Sequence, residues 1–277
     1  MAMARFANWP ELPRAFWGLW RRNAIELPAA PADRTTRVFY LQTPRLFLDL
    51  RVPATRPSLV GRSALCELSK AQRRSLARQI AFAGYTEKRG RRLIWHHGFD
   101  YQLLPDPTRA ADEGKIALSG RFMTEWGVHR PYTEQWEKID DGGGLFLGLE
   151  SEDPGPKAFF GLVGDHFMLA RERSFRARGA AGLGDALDRA TGGEAERLLD
   201  CEFSYGRRRG GDVSWRVALS TIPMLEGAPR FPVNAWRVDG AARRVMGPFG
   251  ADLAPRRWRI VDCTVAYGRL GAVLNGH

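Results

Sequence analysis

The chain has few cysteines and no long apolar run. Its three cysteines, Cys66, Cys201 and Cys263, show neither CxxC spacing nor clustered histidines beside them. This pattern argues against a disulfide framework or a zinc site, and it predicts reduced thiols in a cytoplasmic protein. The first 34 residues are rich in Trp and Pro but lack a continuous apolar core followed by a small-residue cleavage site. We therefore expect neither a signal peptide nor a membrane-spanning segment.

Several common catalytic motifs are also missing. No glycine-rich phosphate loop follows a strand and opens a helix, and no GxSxG nucleophile turn occurs. His97 and Asp100 have no second ligand group at fixed spacing, although Glu125 and His129 could join them in space. No further motif supports haem ligation by a barrel histidine. The sequence therefore predicts no metal and no organic cofactor.

The balance of charge is strongly basic. A formal net charge of +11 and an isoelectric point near 10.2 suggest phosphate binding, because clustered Lys and Arg release counterions from nucleic acids. The arginines, however, are scattered along the chain, and no base-reading or base-stacking motif accompanies them. This distribution favours a solvated basic surface over a nucleic-acid partner.

An internal repeat is the strongest signal in the sequence. Four residues recur at a constant offset of 120 positions: Phe39, Phe47, Arg51 and Trp95 as Phe159, Phe167, Arg171 and Trp215. A constant offset without insertions indicates a duplicated structural unit. Two copies of one unit can be compared position by position, so a polar residue found in only one copy points to a site.

Short strands dominate both copies. Seven strand candidates lie between Thr35 and Glu150, and six lie between Lys157 and Tyr267. Helix candidates at residues 69–79, capped by Ser69, and at residues 183–190 fall between the second and third strands of their repeats. Regular hairpin spacing of this kind is typical of antiparallel barrels. We therefore predict a mainly β protein with two tandem antiparallel barrels and few short helices.

Domain boundaries follow from the Gly- and Pro-bearing segment Ser151 to Lys157, which we interpret as the joint between the copies. We predict a Trp/Pro-rich leader over residues 1–34, a first barrel with a polar lumen over residues 35–152, and a second, more apolar and structural barrel over residues 153–277.

The strand around Trp95 gives the clearest comparison between the copies. Alternation places Trp95, His97 and Tyr101 on one face, where the second copy has Trp215, Val217 and Thr221. The first lumen is therefore predicted to be polar. A bulge at the intervening Gly98 would shift the register and turn Asp100 inward instead of Tyr101.

An early strand carries a second polar-for-apolar exchange. Asp49 takes the place of Leu169 between the shared Phe47 and Arg51. This exchange places a carboxylate in the first lumen, unless the alternating leucines at positions 46, 48 and 50 occupy the interior face instead.

The densest polar and aromatic segment runs from Thr124 to Lys138. Glu125 and His129 share one face of its first strand, and Tyr132, Glu134 and Trp136 share one face of its second. A carboxylate beside an aromatic ring in an apolar lumen has a raised pKa, which suits acid–base catalysis near neutral pH. Alternatively, Glu134 pairs with an arginine such as Arg45 or Arg51 and closes the barrel, and His97 is a buried histidine satisfied by a backbone carbonyl.

This segment resembles a motif of a known family. Glu125-Trp126-Gly127 followed by Tyr132-Thr133-Glu134-Gln135-Trp136, joined to a second barrel, is similar to a small family of tandem calycin (lipocalin-like) barrel proteins. The family includes a fungal protein named for its interaction with a casein-kinase-type protein kinase, and it has no assigned activity. The resemblance implies two calycin barrels packed together and a site in the first lumen. Kinase partnership is not carried over, because the Trp-rich N-terminus and the basic content depart from the family pattern.

The residues together predict a cofactor-independent enzyme of the lyase, isomerase or hydratase type. It would act by acid–base chemistry on a small, largely hydrophobic molecule in the first barrel. The catalytic candidates are His97, Glu134, Glu125, Tyr101 and Asp100. The substrate-binding candidates are Trp95, Trp126, His129, Tyr132, Trp136, Asp49 and Arg51. The alternatives are a non-catalytic carrier of small hydrophobic ligands and an interaction module with filled barrels, with no membrane partner and the oligomeric state left open.

Overall fold

The structure is a computed structural model that describes residues 9–59, 62–103, 111–175, 180–191, 193–208, 214–232, 234–249 and 254–275. Within these ranges the chain forms sixteen strands and four short α-helices. The prediction of a mainly β protein with few short helices is therefore confirmed.

The first eight strands form a closed antiparallel barrel, called here the first barrel. Its strands are β1 (Gly18–Glu26), β2 (Arg37–Gln42), β3 (Leu46–Val52), β4 (Ile80–Arg89), β5 (Arg92–Asp100), β6 (Asp112–Ser119), β7 (Phe122–Gly127) and β8 (Thr133–Asp140). Each strand pairs with its neighbour in sequence, and β1 closes the barrel by pairing with β8. Closure leaves no strand edge exposed. The predicted first barrel is confirmed.

The other eight strands form the second sheet. They are β9 (Phe146–Ser151), β10 (Ala158–Val163), β11 (His166–Arg171), β12 (Glu202–Arg207), β13 (Arg216–Ser220), β14 (Arg237–Asp239), β15 (Arg244–Phe249) and β16 (Ala254–Cys263). Their order is β13-β12-β11-β10-β9-β16-β15-β14, which repeats the pairing of the first barrel except that β13 and β14 do not pair. In the described residues the second unit is therefore an open sheet and not the predicted closed barrel.

The gap in the second sheet lies at the equivalent of a short strand pair in the first barrel. The equivalent strands β5 and β6 pair over only four residues, Arg92–Trp95 with Asp112–Lys115. In the second sheet β14 is only three residues long and pairs with β15 alone among the described strands.

The domain boundaries differ from the predicted ones. The predicted leader contains β1, which pairs with both β2 and β8. Ser151 ends β9 and Ala158 begins β10, and these strands are paired neighbours, so the segment between them is a hairpin within the second sheet. The chain passes from one sheet to the other between Asp140 and Phe146. The sequence pattern missed β1 because Trp, Arg and nearby prolines obscure its alternation.

Four helices accompany the sheets: α1 (Lys70–Leu76), α2 (Leu183–Arg189), α3 (Glu194–Leu199) and α4 (Tyr267–Asn275). α1 lies between β3 and β4, and α2 and α3 lie at the equivalent place between β11 and β12. Ser69 caps α1 as predicted, in a reciprocal capping box with Gln72. Among the described residues, no helix is long and apolar enough to cross a membrane.

The two sheets share an apolar core. Leu46, Leu48 and Leu50 on β3 pack in one cluster with Phe159 and Phe203 of the second sheet. The residues that alternate with these leucines therefore point into the first barrel. The leucines of β3 therefore lie at the interface between the sheets and not in the barrel interior, and Asp49 faces the lumen.

The interior of the second sheet is filled with aromatic side chains. Phe160, Phe167, Trp215, Phe231, Trp236 and Trp258 are buried in one cluster. At one end of this interior lies a buried ion pair, in which Arg230 Nε donates to Glu202 Oε1 at 2.6 Å. The second interior is therefore filled, as expected for a structural unit, but it is not free of charge.

Candidate functional site

A cavity of about 510 Å³ opens at one end of the first barrel. The opposite end is closed by Leu12, Phe16 and Trp20, which belong to the apolar cluster inside the barrel. Trp20 Nε1 donates to the Phe16 carbonyl at 2.9 Å and holds this closure in place. The mouth is lined by Ile25, Leu27, Ile80, His129, Arg130 and Pro131. A volume of this size is typical of small-molecule sites.

Five aromatic rings line the cavity: Tyr40, Phe82, Trp95, Tyr132 and Trp136. Trp95 Nε1 donates to the Tyr40 hydroxyl at 3.1 Å, and that hydroxyl donates to Gln42 Oε1. Burial raises the pKa of Tyr40 above its ordinary value. Tyr40 could not be predicted from the sequence, because the neighbours on both its sides are also apolar and β2 shows no alternation.

A cluster of two arginines and two carboxylates lies in the lumen. Arg51 Nε donates to Asp49 Oδ1 at 2.8 Å, and its Nη1 donates to Glu134 Oε1 at 2.8 Å. Arg22 Nη1 donates to the same Glu134 oxygen at 2.6 Å. The Arg51 guanidinium lies 5.3 Å from the ring centre of Phe82, a cation–π distance. Burial raises the pKa of Asp49, although Arg51 opposes this shift.

Glu134 therefore forms an ion pair with an arginine, which was the alternative to a catalytic role. Its carboxylate is paired with Arg51, as that alternative anticipated, and also with Arg22. Sequence analysis missed Arg22 because it lies in the segment interpreted as a leader. Arg45 instead pairs with Asp262 at 2.8 Å, at the contact between the sheets.

Glu125 is a second carboxyl of the lumen with a raised pKa. It lies directly across from Glu134 on the paired strands β7 and β8. Burial, followed by the negative charge of Glu134, raises the pKa of Glu125 well above its ordinary value. Tyr132 donates a hydrogen bond to Glu125 Oε1 at 2.6 Å and opposes this shift. A raised pKa lets Glu125 keep its proton to a higher pH than an ordinary glutamate does.

Two glycines make room for this pair. A Cβ atom at Gly114 would lie 2.8 Å from Glu125 Cγ, and one at Gly127 would overlap the Tyr132 ring. Because neither position has space for a side chain, the Glu-x-Gly motif is explained by packing around the Glu125–Tyr132 hydrogen bond.

His97 is held between two carboxylates. Its Nδ1 lies 2.7 Å from Asp100 Oδ1, and its Nε2 lies 3.0 Å from Asp112 Oδ2. Burial lowers the pKa of His97, but the hydrogen bonds to the two carboxylates outweigh burial and raise the pKa to about 9. His97 is therefore a cation at neutral pH with both ring nitrogens occupied. It connects β5 to β6 just beyond the last residues that pair, and it does not line the cavity.

A β-bulge at Gly98 decides the orientation of the residues after it. Ala83 pairs with Phe99 and Gly84 pairs with His97, so Gly98 has no partner in the ladder. Asp100 therefore faces the same side as His97. Tyr101 is buried in the core between the sheets and donates to the Leu76 carbonyl at 3.2 Å. Tyr101 therefore lies outside the lumen, and the register shift at Gly98 occurs as the alternative described, although neither Asp100 nor His97 lines the cavity.

Two other candidate residues lie at or beyond the edge of the cavity. Trp126 is 42% exposed on the outer face of β7, so it cannot form a wall of the lumen. His129 lies at the mouth, exposed, with Nε2 3.3 Å from Glu113. The structure thus gathers Asp49, Arg51, Trp95, Glu125, Tyr132, Glu134 and Trp136 around one cavity.

Two polar atoms of the cavity residues are unsatisfied. Among the described residues, Glu134 Oε2 and Trp136 Nε1 are buried and have no hydrogen-bond partner. A buried polar atom without a partner costs about 1–3 kcal/mol, so such atoms are uncommon in native proteins. One is an acceptor and the other a donor. No group of three or more His, Cys, Asp or Glu side chains in the described part of the chain could hold a metal ion.

Comparisons with known proteins bear on the fold alone. No model of a protein family matches the sequence, and no curated protein matches it. The structure is similar to the crystal structure of an uncharacterized protein from Saccharomyces cerevisiae, with a TM-score of 0.53 and 12% sequence identity. The match covers 88% of this chain and 98% of the yeast chain. At this identity the similarity supports the barrel fold and carries no activity with it.

Proposed function

We propose that the first barrel binds one small organic molecule in its lumen. The observation that carries this proposal is the cavity of about 510 Å³ that opens at one end of the first barrel and is lined by both aromatic and polar side chains. The equivalent interior of the second sheet holds a buried cluster of aromatic rings.

The dimensions of the barrel support the same proposal. An eight-stranded barrel is just wide enough either to be filled by side chains or to hold one small ligand, as lipocalins do. In the first barrel, side chains fill the end near Leu12 and Phe16 and leave the end near Ile80 open. The lipocalin-like (calycin) assignment and the relationship to the tandem-barrel family form part of this proposal.

Ligand binding can be tested with a neutral fluorescent probe such as N-phenyl-1-naphthylamine. The protein should bind one equivalent, and Ile80→Trp at the mouth should weaken binding at least about tenfold by blocking entry and occupying the lumen. Ile139→Trp is the matched control, because Ile139 is also exposed but does not line the cavity. No binding by the unmodified protein, or equal binding by both variants, would refute the proposal.

A second candidate function is acid–base catalysis on the bound molecule. The observation that favours it is Glu125, a buried carboxyl with a raised pKa, whose Oε1 accepts a hydrogen bond from Tyr132 at 2.6 Å beside the cavity. Glu125 would donate the proton and Tyr132 would polarise an oxygen of the substrate. His97 and Glu134, the acid and base expected from the sequence, are occupied by ion pairs, so in this mechanism they position their neighbours.

Catalysis and simple binding can be separated with the molecule that co-purifies with the protein. An enzyme of this kind would exchange a carbon-bound hydrogen of its substrate in deuterated water, which mass spectrometry detects. Glu125→Gln should slow that exchange by about 100-fold or more while the fluorescent probe still binds. Exchange at the same rate in the Glu125→Gln variant, or no exchange in either protein, would leave the carrier function in place and exclude this mechanism.

A further inference from the structure

Five carboxyl groups line the cavity of the first barrel: Asp49, Asp112, Glu113, Glu125 and Glu134. Four of them have a positively charged partner at 2.8 to 3.0 Å: Asp49 and Glu134 with Arg51, Glu113 with Arg92, and Asp112 with His97. Within the described ranges, Glu125 has no ion pair. The protein therefore neutralises every carboxyl group of the cavity except one.

Glu125 can be reached by a ligand. Its Oε1 accepts a hydrogen bond from Tyr132 at 2.6 Å, and its side chain as a whole is buried. In the part of the chain that the structure describes, the enclosed atoms without a partner include Glu134 Oε2 but not Glu125 Oε2. The second oxygen of Glu125 is therefore accessible from the cavity, and it still has the capacity to accept hydrogen bonds.

The surroundings of Glu125 favour a positive charge beside it. Burial, then the negative charge of Glu134, raises the pKa of Glu125, and the charge of Asp112 adds to this shift. Arg51 opposes the shift only from a distance, because its nitrogens donate to Asp49 and Glu134. An ammonium group at Glu125 Oε2 would offset these effects, since its hydrogen bond to a carboxylate is about twice as strong as one between neutral groups.

The aromatic rings of the cavity suit the same charge. Tyr40, Trp95, Tyr132 and Trp136 line the space into which Glu125 opens. The faces of Trp and Tyr rings attract an ammonium group that lies within about 6 Å of the ring centre. A cation in the lumen would therefore be stabilised by the rings as well as by the carboxyl group.

The mouth of the cavity offers an anion less. Arg130 and His129 lie there, but both are exposed, so water and salt screen their charges. Ile25, Leu27 and Ile80 lie beside them and would contact an apolar part of the ligand.

We infer that the lumen binds an organic amine in its ammonium form, with the ammonium group donating a hydrogen bond to Glu125 Oε2 and the apolar remainder pointing to the mouth. This inference rests on the proposed binding function and assigns a ligand class to the same cavity. Glu125 is then the counterion of the ligand and not a proton donor, so the inference deepens the binding function and not the catalytic candidate.

Three probes that share one ring system and differ in charge test the ligand class: 2-naphthylmethylammonium, 2-naphthylmethanol and 2-naphthoate. Their affinities at pH 7 can be measured by quenching of tryptophan fluorescence. We expect the ammonium probe to bind at least about tenfold more tightly than either of the others, because it alone supplies the missing positive charge. Tightest binding of 2-naphthoate, or binding of 2-naphthylmethanol as tight as that of the ammonium probe, would overturn the inferred class.

Glu125→Gln removes the charge but keeps the shape of the side chain and an oxygen for Tyr132. This variant should weaken binding of the ammonium probe about tenfold or more and change the affinity for 2-naphthylmethanol by less than about twofold. An unchanged affinity for the ammonium probe would overturn the contact with Glu125. If the variant does not fold, as judged by circular dichroism, the ranking of the three probes by the unmodified protein decides on its own.

The matched control is Glu137→Gln. Glu137 is also a buried glutamate of the β7–β8 hairpin, but it pairs with Arg21 at 2.9 Å and does not line the cavity. This variant should leave the affinities of all three probes within about twofold. A loss of ammonium binding equal to that of the Glu125→Gln variant would show that the effect arises from general destabilisation, and it would overturn the proposed contact.

The outcomes separate the ligand class from the binding function itself. If N-phenyl-1-naphthylamine binds but the ammonium probe is not preferred, the inferred class is wrong while lumen binding stands. If none of the four compounds binds, the proposed function is wrong as well.

Discussion

Arg51→Leu is the substitution that tests the charge cluster most directly. Arg51 gives Asp49 two hydrogen bonds, from Nε at 2.8 Å and from Nη2 at 3.1 Å. Glu134 keeps a second partner, Arg22, at 2.6 Å. The substitution therefore removes both of these hydrogen bonds from Asp49, which is only 1% exposed. A buried carboxylate without a partner takes up a proton instead of remaining charged.

The size of the effect follows from this proton uptake. Protonating a carboxyl at pH 7 costs about 1.4 kcal/mol for each pH unit above its unfolded-state pKa of about 3.9, which sets an upper limit of about 4 kcal/mol. At pH 5 the same calculation gives about 1.5 kcal/mol. We expect Arg51→Leu to lower the free energy of unfolding by about 2–4 kcal/mol at pH 7 and by less at pH 5, because a raised folded-state pKa removes stability as pH rises above the unfolded-state value.

Urea unfolding at both pH values, followed by tryptophan fluorescence and far-ultraviolet circular dichroism, measures this difference. With a denaturant slope of about 3 kcal/mol per molar urea, a loss of 4 kcal/mol moves the midpoint by about 1.3 M. Arg37→Leu on the exposed face of β2 is the control and should change stability by less than about 0.5 kcal/mol. The double variant Asp49→Leu/Arg51→Leu should regain most of the free energy of unfolding that Arg51→Leu loses, because no buried carboxylate is then left without a partner. A loss below about 1 kcal/mol at pH 7, or one that does not shrink at pH 5, would refute this reasoning.

Three further predictions address His97, the aromatic walls and Gly127. His97 has an ordinary pKa of 6.5 and a folded-state pKa of about 9, so its stabilising charge is fully present below pH 6.5 and is lost as pH rises through 9. In urea unfolding, His97→Gln should have a free energy of unfolding roughly 3 kcal/mol below that of the unmodified protein at pH 6. If this difference in free energy does not become smaller by pH 9.5, the prediction is wrong. Trp95→Ala should cost about 3–5 kcal/mol in thermal unfolding and Trp126→Ala under about 1 kcal/mol, whereas equal losses would mean that Trp126 is not on the outer face. Gly127→Ala should cost about 1–3 kcal/mol by crowding the Tyr132 ring, and a crystal structure with an undisturbed Tyr132–Glu125 hydrogen bond would show that the crowding is relieved elsewhere.

The residues of the β7–β8 hairpin could be placed from the sequence. Glu125, Tyr132, Glu134 and Trp136 lie on adjacent strands joined by a short turn, so alternation alone predicts that they share one face. Asp49 and Arg51 were found by comparing the two copies, since Leu169 occupies the place of Asp49 in the second. The face on which Asp49 lies stayed open, because both faces of β3 are buried and hydrophobicity does not distinguish them.

Other residues were misplaced or missed for identifiable reasons. One unpaired residue, Gly98, reverses the face of Tyr101, and a bulge of this kind depends on the neighbouring strand and not on local sequence alone. Arg22 reaches the lumen only because β1 pairs with β8, more than a hundred positions away along the chain. Trp126 has an aromatic side chain but lies on the outer face, so residue type was a poorer guide to its place than alternation.

The strand-rich character, the repeat and the grouping of side chains within a hairpin could be predicted from the sequence, because they depend on neighbours in the chain and on the two-residue period of a strand. Which face of β3 points into the lumen depends on the tertiary structure, because the second sheet packs against the other face and both faces are buried. Tertiary structure also sets the surroundings of each carboxyl. Glu134 has two arginine partners, whereas burial and the negative charge of Glu134 raise the pKa of Glu125, which Tyr132 contacts.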